Sequence, residues 1–320
     1  MNATISLVMH CLVIISIATL GFGAACALIV RPFLRWSDRF DPRSRLFLLR
    51  LFAAWPLLAG LGVGVMVSLP SINHASKLPF DHCHNPGGCL IQPVSHMLTT
   101  SEFVIITLLL GLLAWAIVNA FLQWRRADSF VKQIDIASHA TLASGVRLIE
   151  TALPLAFSLG LCNTISVLST GLVRVLTPRQ LNIICVHEQA HLHHHDNAYK
   201  WMLRSVCVFH LPHVRRAVLS EHAFTLELRA DQHVAQHIQD PIAVAETIVA
   251  MQRLIKPFNG SELVCQFAGT ALERRVQYLL APPATCRLPT YMAVLCLLTA
   301  IIVTASGSAP LHNALEALLV

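Results

Sequence analysis

The chain has 320 residues, of which 55% are hydrophobic and only 12% charged, with a mean hydropathy of +0.62. That balance excludes an ordinary soluble domain and predicts a membrane protein. A net charge of +6 would suggest nucleic acid in a soluble chain, but most positive residues flank apolar runs. Their expected partner is the lipid bilayer with its anionic inner leaflet, and no direct nucleic-acid binding is expected.

Four apolar runs free of charge, at residues 6–30, 51–69, 103–123 and 288–306, come close to the length of about 20 residues that crosses a bilayer as a helix. No Lys or Arg precedes the first run, whereas a cleaved signal peptide needs a positive leading region, so the run is expected to remain as a span. The loop RPFLRWSDRFDPRSR after it carries Arg31, Arg35, Arg39, Arg43 and Arg45, which places that loop in the cytoplasm. Residues 70–102 carry only Lys77 and are expected outside. This outer loop contains DHCHNPGGC, in which Cys83 and Cys89 stand beside His82 and His84. The pair reads as a disulfide that closes the loop, with a metal or redox sensor as the alternative. The other eight cysteines are expected to stay reduced.

Residues 124–287 hold 16 of the 23 Lys and Arg residues and are bracketed by positive charge, with Arg125, Arg126 and Lys132 at one end and Arg274, Arg275 and Arg287 at the other. They are expected to form one cytoplasmic domain between residues 1–123, with three spans, and residues 288–320, with the fourth span and a short outer tail. Inside this domain, residues 151–173 are free of charge, but Pro154, Gly160, Asn163 and the alternation in TISVLST favour a buried strand pair over a fifth span. TISVLST reads equally as a core strand or as an edge on which an extended peptide could pair. Residues 201–219, apolar but interrupted by Arg204, Pro212, Arg215 and Arg216, read as an interfacial amphipathic helix.

In LTPRQLNIICVHEQAHLHHHDN, Thr177 can cap a helix, Pro178 suits its first position and Gln180 completes a capping box, which predicts a helix over 178–194. His187 and His191, four residues apart, share a face on which two imidazoles can hold one metal ion, and Glu188 stands beside the first. Neutral imidazoles bind zinc while leaving it strongly Lewis acidic, and the adjacent carboxylate can take a proton from water. Glu227, 36 residues after His191, completes a His2Glu set, and Asp231 one turn later can orient a ligand histidine. Position 194 is His and position 197 is Asn, which excludes a HExxHxxGxxH site. Glu221 is an alternative acid without a partner Asp one turn on. Cys185 falls off the metal face and reads as core. His193, His194 and His195 read as a solvated helix end, with substrate or metal handling as the alternative. His210, His213 and His222 are each candidates for a donor to the transition state, and nothing in the sequence chooses among them.

These motifs resemble the integral-membrane zinc peptidases of the BlaR/MecR antirepressor type, metallopeptidase family fifty-six. The resemblance runs over about residues 145–281, through VHEQAHLHHHDN, ELRAD and ALERRVQYLL, and only its metal motifs are specific. It implies a mainly α membrane protein with four transmembrane helices and a cytosolic, gluzincin-like α+β zinc peptidase domain in the bacterial inner membrane. By the resemblance, one Zn2+ per chain would be held by His187, His191 and Glu227, with Glu188 as catalytic acid and base and Asp231 behind the ligands. The substrate would be a protein or peptide, a transcriptional repressor in the best-known members. Only a short tail follows the fourth run, so antibiotic sensing is not carried over. Two alternatives remain at this stage: an HtpX-like quality-control peptidase, and a non-proteolytic metal-binding sensor or scaffold.

Overall fold

The computed structural model describes residues 3–72, 100–138, 140–142, 146–255 and 262–288. The fourth apolar run, its tail, and Cys83 and Cys89 with their flanking histidines lie outside the described residues.

The first three runs are helical, as their composition requires: α1 (Ala3–Ser37), α2 (Pro42–Ile72) and α3 (Thr100–Ala137). Each contains a stretch long and apolar enough to cross a membrane, at Cys11–Ser37, Pro42–Val65 and Phe103–Ala137. The basic loop is shorter than its sequence suggests. α1 runs on through Arg31 and Arg35, and only residues 38–41 turn the chain before Pro42 opens α2. Asp41 holds that start, accepting from the Arg43 amide at 3.2 Å and from the Ser44 hydroxyl. Likewise α3 does not stop at residue 123 but continues to Ala137, carrying Arg125, Arg126 and Lys132 on the helix itself.

A small four-stranded sheet follows, formed by β1 (Ala140–Leu142), β2 (Val146–Ile149), β3 (Ala156–Leu159) and β4 (Ile165–Ser169) in the order β1-β2-β4-β3. The expected strand pair is β3 and β4, antiparallel with Phe157 opposite Val167. Gly160 turns between them at φ 93, where an added Cβ would meet the Asn163 carbonyl. β4 is not the edge that TISVLST allowed. It lies between β3 and a parallel partner, β2, and its Val167 and Leu168 are fully buried.

Helices α4 (Thr170–Val175), α5 (Pro178–His193), α6 (Asp196–Val206), α7 (Pro212–Ile238), α8 (Pro241–Ile255) and α9 (Glu262–Leu280) complete the described chain. The span 201–219 is not one interfacial helix. It breaks at a single 3-10 turn, Cys207–Phe209, and Pro212 starts α7 at a position that costs no internal hydrogen bond. This corner docks on the first two long apolar helices: Leu203, Cys207, Val214 and Val218 share a buried cluster with Cys26 and Val30 of α1 and Phe52 and Ala53 of α2. The approach is close, because a Cβ on Gly23 would collide with the Phe209 carbonyl, and the Trp201 indole N–H donates to the Ala120 carbonyl of α3 at 2.9 Å.

Two further clusters fix α5. Ile184 packs with Val146, Leu168 and Leu172 of the sheet side, and Ile183 with Val234, Val244, Ala245 and Leu279 of α7, α8 and α9. Cys185 lies half-buried against the sheet-side cluster, as expected of a core thiol. With that side of α5 held by apolar contact, its histidine face is turned toward α7.

Candidate metal centre

α5 begins where its capping box demands. The Gln180 amide donates to Thr177 Oγ1 at 3.3 Å and the Thr177 amide donates to Gln180 Oε1 at 3.1 Å. Starting from that fixed end, the four-residue interval brings the Nε2 atoms of His187 and His191 to 3.2 Å from each other. Glu227 of α7 reaches both, with carboxylate oxygens 3.4 Å from His187 Nε2 and 3.6 Å from His191 Nε2. Among the described residues, these three form a group whose donor atoms all lie within 4.8 Å of one another and can hold a metal ion. The His191 side chain is 6% exposed and that of Glu227 30%, so the group is closed at His191 and reached by solvent at Glu227.

Each imidazole is backed by a carboxylate. His187 Nδ1 donates to Asp231 at 3.1 Å and His191 Nδ1 donates to Asp196 at 2.7 Å, which leaves both Nε2 atoms aimed at the centre. The carboxylates are held in turn by arginines. Arg275 of α9 grips Asp231 through two bonds of 2.7 and 2.8 Å and stands 3.4 Å from Glu227, while Arg229 pairs with Asp196. A two-bond fork of this kind fixes orientation as well as charge.

The electrostatics follow from this arrangement. Burial alone would disfavour a charged His187, but hydrogen bonds to Asp231 and Glu227 outweigh it and push its pKa up to about 10. Burial would raise the Glu227 carboxyl, yet His187 and Arg275 hold it below the usual range. Asp231 is lowered against burial chiefly by Arg275, and Asp196 by His191 and Arg229. Glu188 is the exception: it is buried beside the group, and burial pushes its carboxyl up despite the pull of His187 and His191.

All five residues singled out on α5 and α7, His187, Glu188, His191, Glu227 and Asp231, are therefore gathered at one place. Glu221 is elsewhere, paired with Arg45 at 2.7 Å and Arg274 at 3.4 Å. None of the three candidate donors is seen to reach the centre. His210 stacks on Phe52 and donates to the Ala53 carbonyl at 3.0 Å, His222 is buried and accepts from Arg50 at 3.3 Å, and His213 is exposed at the start of α7. Sequence reasoning missed Asp196, Arg229 and Arg275. Asp196 offered one signal, an acid five residues beyond the second histidine in a tract that is otherwise basic.

Comparison with family models, with curated proteins and with solved structures finds no match to this chain.

Proposed function

We propose that the chain is a membrane-embedded, zinc-dependent endopeptidase. The observation that carries this reading is the gathered triangle of His187, His191 and Glu227 with a buried Glu188 beside it. Ligands about 2.0–2.1 Å from a tetrahedral zinc ion stand about 3.4 Å apart. The two Nε2 atoms stand 3.2 Å apart, and each has a Glu227 oxygen near that spacing, Oε2 at 3.4 Å from His187 and Oε1 at 3.6 Å from His191. Two imidazoles and one carboxylate suit zinc and leave a coordination position open, whereas a structural zinc site closes with a fourth protein ligand. When bound, zinc supplies Lewis acidity that polarises a peptide carbonyl and acidifies water.

The chain's own residues do the rest. Glu188 accepts a proton from the water that attacks the peptide carbonyl carbon and delivers it to the departing amine nitrogen, so one water is consumed for each bond cut. Burial strengthens Glu188 as a base by raising its pKa. Asp231 and Asp196 hold the imidazoles in the tautomer that presents Nε2, and Arg275 and Arg229 hold those carboxylates in place. A sensor or scaffold has no use for Glu188 in that position.

The loop charges support a topology with the N-terminus outside, the metal centre in the cytoplasm and a fourth span leading back out, in a bacterial inner membrane. The substrate is then a cytosolic or membrane-associated regulatory protein, in keeping with the BlaR/MecR-type motifs, and the activity belongs to signal transduction. Membranes carrying the wild type or Glu188→Gln, incubated with cytosolic proteins and analysed by mass spectrometry, test the reading. One or two defined cleavage sites lost in Glu188→Gln are expected. Many unrelated sites would favour quality control, and no cleavage in either would favour the scaffold.

A further inference from the structure

The turn between α1 and α2 closes over a cavity that the proposed peptidase chemistry does not use. The cavity has a volume of about 300 Å³ and is lined by Asp38 and Phe40 of the turn, Arg45 of α2, Phe224 of α7, and Arg274 and Tyr278 of α9. Such a volume lies at the lower end for small-molecule sites. Arg45 is its fixed cation. The Arg45 side chain is only 5% exposed, its Nη2 pairs with Asp38 and donates to Glu221 at 2.7 Å, and its Nε has no hydrogen-bond partner among the described residues. A buried guanidinium N–H left unmatched is costly, and an acceptor on a ligand removes that cost. Arg274 is the second cation, half-exposed, 3.4 Å from Glu221 and 4.0 Å from Asp38, with its guanidinium 4.0 Å over the Phe224 ring.

Charge and place together define the ligand. Arg45 and Arg274 face Asp38 and Glu221, two charges of each sign, so a simple anion would meet as many carboxylates as guanidiniums. A zwitterion can exchange into both kinds of pair at no net cost in charge. The cavity also sits where two helices able to cross a membrane meet, since one candidate span ends at Ser37 and the next begins at Pro42. Beside it the exposed Trp36 packs edge-on against Phe40 at 4.9 Å, a placement typical of the boundary between lipid headgroups and water. We infer that this cavity binds the phosphoethanolamine headgroup of a phospholipid. Arg45 Nε and the Arg274 fork take the phosphate, and Asp38 and the Phe40 ring take the ammonium. Phosphocholine presents methyl groups where Asp38 needs N–H donors, and phosphoglycerol has no cation to offer it.

The test is retention of lipid by the purified full chain, read by native mass spectrometry after equilibration with phosphatidylethanolamine, phosphatidylglycerol or phosphatidylcholine. It needs no turnover, so its outcome is independent of the peptidase reading. The wild type should hold phosphatidylethanolamine at least about tenfold more tightly than either of the others, the worth of one charge-assisted hydrogen bond. Arg274→Gln should weaken that binding about tenfold, and Asp38→Asn should erase the preference over phosphatidylglycerol. Both side chains are about half exposed, so neither substitution opens the core. Glycerophosphoethanolamine, the same headgroup without acyl chains, should bind more weakly than the lipid. Equal retention of the three lipids by the wild type overturns the inference and requires no variant. So does a preference unchanged in both variants, and binding of the soluble headgroup as tight as that of the lipid would overturn the membrane source.

Discussion

The two halves of α7 differ in what is added to their apolar packing. The first half docks on α1 and α2 through Val214 and Val218, packed among Cys26, Val30, Phe52 and Ala53. The second half carries Glu227 and Asp231 and adds to the packing of Val234 a set of charged hydrogen bonds to His187 and Arg275. Apolar packing is shared by many atoms and its loss is graded with volume, whereas the metal centre depends on single atoms within a few tenths of an ångström. One rigid helix joins the two, so stability and metal binding should respond to different residues.

The largest effect that tests this division is on the docking side. Leu203→Ala, in the same cluster, should cost about 2–5 kcal/mol of stability, and the zinc affinity of the folded fraction should stay within twofold or so. A matched fall in affinity, measured by chelator competition, would mean that the halves are coupled. Next comes the centre itself: Asp196→Asn should weaken zinc binding by about 10–100-fold, roughly 1.4–2.7 kcal/mol, by releasing His191.

An effect smaller at any one pH step, spread over a range of pH, lies at the junction. Burial and the nearby Arg50 lower the pKa of His222 to about 3, so the folded chain keeps it neutral while the unfolded chain takes up a proton below about 6.5. Stability is therefore complete above that pH and falls as the pH drops toward 3, by at most about 1.4 kcal/mol per unit from this group. His222→Gln should flatten that slope in denaturation measured between pH 4 and 7. The smallest change expected is at the cap, where Thr177→Ala should cost about 1 kcal/mol and shift thermal unfolding slightly without altering zinc content.

The centre was legible where its geometry is local. His187 and His191 repeat on one helix, Glu227 and Asp231 on another, and Thr177, Pro178 and Gln180 mark where the first begins, so each helix declares its own half of the site. The first three apolar runs were legible for a similar reason, since their length and composition mark them as helices able to cross a membrane. What escaped depends on pairs distant in the chain. Nothing in ERRV marks Arg275 rather than Arg274 as the partner of Asp231, 44 residues away, and Arg229 meets Asp196 only because α6 folds back beside α7. The parallel partner of β4 was hidden likewise, because VRLI is too short to read as a strand without the sheet. Pro212 was visible as a break in 201–219, but not as the start of the helix that carries the site.

The central claim is that His187, His191 and Glu227 hold zinc while Glu188 moves the proton. Bound zinc and peptide cleavage, measured side by side on purified Glu188→Gln and Glu227→Gln, separate the two roles. The account predicts that Glu188→Gln keeps one tight zinc ion and loses about 10²–10⁴-fold in cleavage, and that Glu227→Gln loses both. Cleavage undiminished in Glu188→Gln, or a full complement of tight zinc in Glu227→Gln, would contradict it.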